Sequence, residues 1–380
     1  MSKYSIIVLP GDGIGPEVTA QAVRALEVVD RSGLSSLSVD IVPCAGSYYV
    51  DHGKEWPDGS YERCKAADAI MLGAIGHMDA SGRTVTRADG ELAGYEQVIG
   101  LRMKLDLYAN LRPIKLYPGV KHCISGEFSL VWSPQNVDIV VFRENTEGAY
   151  VPGHFTLDRG EQIELVVSPT IVTRVGATRI VREAFRTASM RRGAPKDGVS
   201  RVTCVDKSNV IRAHRLFRDI FREVAVEFPD IEQDFAYVDA FCHSLIREPE
   251  RYDVVVAPNL PGDIVTDLGA VLQGGMGMAA SGNIGDEHAM FEPIHGSAPP
   301  LRGLERANPT AAILSASMML NWLGRRHDDE EALMAGAAIE AAVGDALLSG
   351  EAHTPDLGGR MRTSEVGAAI CRHLERHLER

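Results

Sequence analysis

The sequence is short of cysteine pairs, basic blocks, long apolar runs, internal repeats and low-complexity linkers, and each shortage removes a class of protein. Its 6 cysteines, Cys44, Cys64, Cys123, Cys204, Cys242 and Cys371, are scattered, with no CxxC pair and no histidine at zinc-ligand spacing. A disulfide scaffold and a zinc module are therefore excluded, and buried thiols in a reducing compartment are expected. No stretch approaches membrane-spanning length, and the short apolar run that ends at Pro10 is too brief for a secretion-signal core. The expectation is a cytoplasmic chain with no membrane partner. Lys and Arg number 39 against 52 Asp and Glu, a formal charge of −13, and no basic segment is interleaved with aromatics. Nucleic acid is excluded as a main partner on that balance. Without a Pro- or Ser-rich tether, two domains would have to share continuous strands or helices.

What is present is an ordinary globular composition, 45% hydrophobic and 24% charged over 380 residues, enough chain for more than one domain. Ser5 to Leu9 is an apolar, β-branched run, followed by a glycine turn from Gly11 to Gly15 and by Pro16 where a helix would start. Val18, Ala22, Leu26 and Val29 then make one apolar helical face. Further short strands are expected at Val39 to Val42, Ala69 to Leu72, Ile139 to Phe142, Val202 to Val205 and Val254 to Ala257, most with helical sequence after them. This alternation predicts an α/β fold with a largely parallel sheet. Gly153 to Val166 breaks the rhythm and predicts an antiparallel excursion or arm. The turn Gly11, Gly13, Gly15 is spaced GxGxG, not GxGxxG; a tight turn at positive φ and a ligand loop remain equal alternatives on that spacing.

Candidate chemistry gathers at the carboxyl ends of these strands. Asp263 and Asp267, after Val254 to Ala257, stand at i and i+4 on one helical face. Two carboxylates so placed repel unless a cation or proton lies between them, and hard oxygen donors suit Mg²⁺ or Mn²⁺. Capping would account for Asp263 alone, and Asp239 is a third possible ligand. Arg102, Arg112 and Arg143 form a second set, with Arg143 directly ending a strand, where α/β sheets bind ligands and a guanidinium matches a carboxylate. Lys207 and Tyr150 follow strands in loops and are candidates for proton transfer, set against a surface lysine and a packing tyrosine. Phe291 to Pro299, with His295 in it, leads through Asn308 to an apolar helix; its small residues leave backbone open to a planar or phosphate-bearing ligand.

Together these segments resemble the β-decarboxylating dehydrogenases of the isocitrate and 3-isopropylmalate dehydrogenase family. The likeness is carried by Gly11-Asp12-Gly13-Ile14-Gly15-Pro16-Glu17, by Leu101-Arg102 with Asn110-Leu111-Arg112-Pro113, and by Arg143 to Gly148 followed by Tyr150. It continues through Asp206-Lys207-Ser208-Asn209, Gly262-Asp263-Ile264 with Asp267, His295-Gly296-Ser297-Ala298-Pro299, and Thr354 to Gly359. The resemblance implies an isopropylmalate dehydrogenase-like fold and not an ordinary Rossmann fold: two domains sharing a large, mostly parallel sheet. Residues 1–107 and 274–380 would form the large domain, and 108–273 a smaller inserted domain carrying dimerisation elements. It implies a homodimer with shared active sites, in which Lys207 and Asp239 enter the partner's site. Asp239, Asp263 and Asp267 would hold Mg²⁺ or Mn²⁺, Lys207 and Tyr150 would move protons, and Arg102, Arg112 and Arg143 would grip substrate carboxylates. Ile14, His295, Gly296, Ser297, Ala298, Pro299, Asn308 and Asp356 would hold the cofactor.

The sequence also departs from the family. Pro300-Leu301-Arg302 stands where NAD-dependent members place a ribose-binding acid, so Arg302 could meet a 2′-phosphate; yet Pro355 and Gly359 replace the Tyr and Arg of NADP-using isocitrate dehydrogenases. NAD is the expected cofactor, with NADP left open. Val98 and Ile99, just before Arg102, could touch an apolar substrate substituent or pack inward. The expected reaction is metal- and NAD-dependent oxidative decarboxylation of a (2R)-malate substituted at C3, with 3-isopropylmalate first. Tartrate/D-malate, homoisocitrate and isocitrate are the alternatives, because one methyl or hydroxyl changes discrimination by only about 1 to 3 kcal/mol. A non-catalytic regulatory subunit is disfavoured because the lysine, the tyrosine, three aspartates and three arginines are all retained.

Overall fold

The computed structural model describes residues 3–151, 153, 155–160 and 162–379. Its strands in chain order are β1 Lys3–Leu9, β2 Ser36–Ile41, β3 Ala69–Leu72, β4 Ala109–Lys115, β5 His122–Ile124, β6 Glu127–Ser129 and β7 Asp138–Glu144. They continue with β8 Phe155–Arg159, β9 Gln162–Val167, β10 Arg201–Asp206, β11 Glu232–Tyr237, β12 Val254–Ala257, β13 Ala280–Ile284 and β14 Ala289–Pro293. The fold is mixed α/β with mostly parallel pairing, and the chain divides into two units: 1–107, 115–134 and 270–380, against 108–114 and 135–269. Residues 115–134 fall in the first unit although they follow a strand of the second. His122 donates from Nε2 to the Leu272 carbonyl at 2.9 Å, and Gly119, at φ +89°, lies against the backbone of Leu347 and Leu348.

In the first unit the strand order is β13-β14-β3-β1-β2, parallel except for the β13–β14 pair. The apolar run of β1 places Ile7 and Leu9 with Ile70, Leu72, Leu101 and Met290 in one buried cluster. The helix Gly15–Ser32 starts with Pro16 in its first turn and stops at Gly33, whose φ of +77° a side chain would resist. Its buried face includes Val18, Ala22, Leu26 and Val29, the positions that the 3.6-residue period selects.

In the second unit the order is β11-β10-β12-β7-β4, and the pairs from β11 through β7 are parallel. Val202, Cys204, Val254 and Val256 pack there against Phe185, Phe217 and Phe221 of the covering helices Arg174–Met190 and Arg212–Ala225. Each buried phenylalanine contributes about 1.5–3 kcal/mol through removal from water. The expected antiparallel excursion is the hairpin β8–β9, read where it is described, since Pro152, His154 and Glu161 lie outside the described residues. Among the described residues, no helix is long and apolar enough to cross a membrane.

Candidate active site

The second unit builds its charged centre from the middle of β4, the end of β7 and the helix that follows β12. The helix Asn259–Leu272 follows β12 at once, so Asp263 lies beyond its first turn and does not cap it. Asp263 and Asp267 therefore share a face, and Arg112 of β4 reaches both, with Nη1 at 3.3 Å and 3.4 Å from their Oδ1 atoms. The same Nη1 donates to Thr266 Oγ1 at 2.6 Å, and Nε donates to Asn110 Oδ1 at 2.5 Å. Arg143 of β7 forms a close ion pair with Asp263 and donates from Nε and Nη2 to Asn259 Oδ1 at 3.1 and 2.8 Å. Gly262 permits this approach, because a Cβ there would stand 2.8 Å from the Arg143 side chain. Tyr150 donates its phenol to Asp263 Oδ2 at 2.9 Å, with its ring 5.3 Å from the Arg143 guanidinium.

Residues to which the sequence reading gave no role hold this centre in shape. Asn259 donates to the Glu147 carbonyl at 3.0 Å while accepting from Arg143. Glu144 is buried and accepts from the backbone N–H groups of Thr146 (2.9 Å) and Glu147 (2.7 Å), which fixes the turn leading to Tyr150. Burial lifts its carboxyl pKa above the ordinary range. A single sequence signals these roles only through the chemistry of the residue types.

The cation required between the paired aspartates is supplied within the chain by Arg112. Both side chains nevertheless keep exposed surface, 29% for Asp263 and 55% for Asp267, so hard oxygen atoms remain open to a divalent ion and the donor set fits one. Burial raises the pKa of Asp267, with Arg112 opposing and Asp263 adding to the shift. Asp239 does not join them. It stands in the first turn of the helix Val238–Arg247, its Oδ1 2.8 Å from Lys207 Nζ, which lowers its pKa. Among the described residues, no group of three or more His, Cys, Asp or Glu in the chain could hold a metal. Lys207 is set by its neighbours: its N–H donates to His214 Nδ1 at 3.0 Å, and the adjacent Asp206 is buried under the fork of Arg218 at 2.7 and 2.9 Å.

In the first unit the glycine turn grips protein. Ile14 N–H donates to the Ser297 carbonyl at 2.9 Å, and a Cβ on Gly13, at φ +59°, would stand 2.0 Å from that same oxygen. Asp12, buried, accepts from the N–H groups of Gly46, Ser47 and Gly76 at 2.8–3.0 Å. The turn is tight, at positive φ and packed on the segment at His295, and its Ile14 also lines a cavity. Ile14, His295, Gly296, Ala298, Asn308 and Asp356 line a cavity of about 730 Å³. Ser297 is instead buried beneath the turn, donating to the Gly76 carbonyl at 2.5 Å, and Pro299 lines a different cavity with Pro300 and Arg302. The left-handed Ala298, at φ +38°, starts the turn that sends Arg302 there, and Arg306 is the arginine on the larger cavity. Asn308 donates to Asp356 at 3.1 Å and Thr354 does so at 2.5 Å. Burial lowers the His295 pKa, and its Nε2 is buried with no hydrogen-bond partner among the described residues. The orphaned nitrogen belongs to a residue on the wall of this cavity, beside Gly274, Gly275, Gly277 and Gly296, and such a lining fits an adenosine-bearing cofactor.

Sequence and structure comparisons place the chain in a family. A family model described as isocitrate/isopropylmalate dehydrogenase matches residues 5–370. The chain belongs to that family. A 3-isopropylmalate dehydrogenase of Thermobifida fusca (strain YX) is 38% identical over 374 residues, 97% of each chain. A decarboxylating D-malate dehydrogenase of Escherichia coli (strain K12) is 36% identical over 381 residues, covering 99% of this chain and 100% of the relative. The crystal structure of isocitrate dehydrogenase from Methylococcus capsulatus superposes with a TM-score of 0.82 at 33% identity, over 98% of this chain and 99% of that one. This member of the isocitrate/isopropylmalate dehydrogenase family is thus an oxidoreductase of the β-decarboxylating kind.

The segment before Arg102, where Val98 and Ile99 are expected to meet a substrate substituent, lies in the first unit as a π-helical turn Glu96–Gly100 running into the helix Leu101–Lys104. Val98 packs against the Ile7–Leu72 cluster, the inward alternative, while Ile99 is partly exposed. Arg102 is buried and donates from Nη2 to Glu292 at 2.9 Å, which also accepts from Asn283 at 2.7 Å. Its Nε has no partner among the described residues.

Proposed function

We propose that this dehydrogenase oxidises and decarboxylates a (2R)-malate carrying an apolar group at C3, 3-isopropylmalate first, with NAD and Mg²⁺ or Mn²⁺. The observation that carries the reading is the convergence of Arg112, Arg143 and Tyr150 on Asp263 and Asp267. Two forked cations beside two hard-oxygen ligands suit a 2-hydroxy dicarboxylate. Asp263 and Asp267, with Asp239 of a second copy, would hold the metal; Ile14, His295, Gly296, Ala298, Asn308 and Asp356 would hold the adenosine end of NAD. Bound there, the metal would supply Lewis acidity to the C2 hydroxyl and NAD would supply a hydride acceptor.

The chain's own side chains then do the following. Arg102, Arg112 and Arg143 orient the carboxylates. Lys207, directly or through water, takes the C2 hydroxyl proton as the C2–H bond breaks. Carbon dioxide leaves the resulting β-keto acid, and Tyr150 returns a proton to C3 of the enol. The separation of the Lys207–Asp239 pair from the Asp263–Asp267 pair supports a homodimer in which each copy completes the other's site, and the apolar hairpin β8–β9, with Phe155 and Ile163 59% and 67% exposed, supports its interface. Work in the cytoplasm is part of the same reading.

D-Malate is the second substrate, supported by the Escherichia coli relative. The test is NADH formation with Mn²⁺ across 3-isopropylmalate, D-malate, tartrate, isocitrate and homoisocitrate. The greatest kcat/KM is expected for 3-isopropylmalate; a larger value for any other member of the panel would replace it as the substrate.

A further inference from the structure

Glu55 is a buried carboxylate that the mechanism does not use. It is 6% exposed, in the loop after the helix Ala45–His52, and it reaches 39 residues along the chain. Its Oε1 accepts from the N–H groups of Gly94 at 2.6 Å and Tyr95 at 3.1 Å, and its Oε2 accepts from Glu96 N–H at 3.2 Å. These three donors open the segment Glu96–Gly100; Tyr95 N–H also donates to the Leu92 carbonyl at 2.9 Å, whereas a helical start leaves those of Gly94 and Glu96 to the carboxylate. Arg87 steadies the carboxylate from the far side: its Nη1 is 3.6 Å from Glu55 Oε2 and 3.7 Å from Glu96 Oε1, and its guanidinium lies 5.5 Å from the Tyr95 ring centre. Glu55 also ties back through its own carbonyl, which accepts from Ala45 N–H at 2.7 Å.

Burying a carboxylate is costly unless hydrogen bonds and charge compensate it; here the charge comes from Arg87 and the three hydrogen bonds come from the start of one segment. The segment is itself unusual. It winds as a π turn closed by Leu101 N–H on the Glu96 carbonyl, a geometry that recurs at functional sites because it re-aims the residues around it. Its downstream end is fixed independently, since Arg102 is held by Glu292. Glu55 therefore sets where the segment begins and Glu292 sets where it ends, and the direction of Ile99 depends on both.

We propose that Glu55 is a positioning residue for substrate selectivity: it fixes the start of the π turn and so the placement of Ile99 against the substrate's C3 substituent, while Arg102 keeps its own anchor. The inference rests on the reading that this segment meets the substrate. Glu55→Ala removes both acceptor oxygens and with them all three hydrogen bonds. Glu55→Gln keeps the two bonds at Oε1 but turns an amide N–H₂ toward Glu96 N–H and Arg87, so its effect is smaller and its fold is retained.

The test measures kcat/KM for 3-isopropylmalate and for D-malate in the full-length enzyme, together with the KM for NAD and the melting temperature. The expected result is a change in the ratio of the two kcat/KM values of about tenfold or more in Glu55→Ala, and a smaller change of the same sign in Glu55→Gln. The KM for NAD stays within about twofold, since the cofactor cavity does not include this segment. A purely structural role would lower the melting temperature and the activity on both substrates equally, leaving the ratio unchanged, and that result overturns the inference. Glu55→Gln decides it alone if Glu55→Ala is insoluble. Wild-type enzyme inactive on both substrates would instead overturn the substrate reading itself.

Discussion

Replacing Gly13 with alanine should damage cofactor binding as well as the fold. The new Cβ would lie 2.0 Å from the Ser297 carbonyl oxygen, where real contacts begin at about 3.0 Å, so the Ser297 backbone must retreat by about 1 Å. The retreat also lengthens the Ile14 N–H bond to Ser297, now 2.9 Å, which contributes about 1 kcal/mol. A further cost of about 1–2 kcal/mol comes from holding alanine at φ +59°. Because Ser297 lies between His295, Gly296 and Ala298 on the cavity wall, a shift of this size predicts about a 100-fold rise in the dissociation constant for NAD. Gly53→Ala is the control. Its φ is +68° and nothing lies within 4 Å of the added carbon, so it carries the backbone cost alone. The assay is NAD titration followed by protein fluorescence, with melting temperatures for both variants. NAD affinity within twofold of wild type in Gly13→Ala, with a stability loss equal to that of Gly53→Ala, would refute the assignment of this turn as the support of the cofactor wall.

Three further predictions follow from the same geometry. Lys207→Met and Asp263→Asn should each be inactive as homodimers, yet unfolding and refolding them together should restore about a quarter of wild-type activity through hybrid dimers with one intact site; no recovery would remove the shared site. Cys123 is exposed and lines the large cavity, whereas burial pushes the Cys44 thiol up to about 12, so a bulky maleimide at neutral pH should label Cys123, weaken NAD binding and be slowed by NAD. Labelling of Cys123 that leaves NAD affinity unchanged contradicts its place on that wall. Burial lowers the His214 pKa, with Asp206 opposing, so the folded state resists protonation that the unfolded state accepts. Its contribution to stability is full above the unfolded value of about 6.5 and is lost as pH falls below it. His214→Asn, which keeps an acceptor for Lys207 N–H, should flatten that part of the melting-temperature profile; an unchanged profile excludes His214 as its cause.

The sequence revealed those parts of the molecule that rest on local periodicity. Runs such as Val254 to Ala257 are apolar on both faces because β12 lies between β10 and β7, and a fully buried parallel strand leaves that signature. β11 was illegible for the converse reason: Glu232–Tyr237 is an edge strand with little burial and mixed polarity. The i,i+4 spacing of Asp263 and Asp267 was readable, but the cation between them, Arg112, comes from a strand some 150 residues earlier and is brought in only by sheet order. Glu55 was invisible because it acts through backbone donors, which carry no side-chain signal. The cavity assignments of Arg302 and Arg306 depended on left-handed residues, Ala298 and Glu305, whose conformation no composition rule specifies.

The most direct test of the account is the stoichiometry of a single incubation of the purified enzyme with 3-isopropylmalate, NAD and Mn²⁺, following NADH by absorbance and carbon dioxide by a coupled carboxylase assay. Equal amounts of NADH and carbon dioxide, both abolished in Lys207→Met, are predicted. NADH without carbon dioxide would show a simple alcohol oxidation, and neither product, with NAD and Mn²⁺ both bound, would contradict the assignment of this site to oxidative decarboxylation of that substrate.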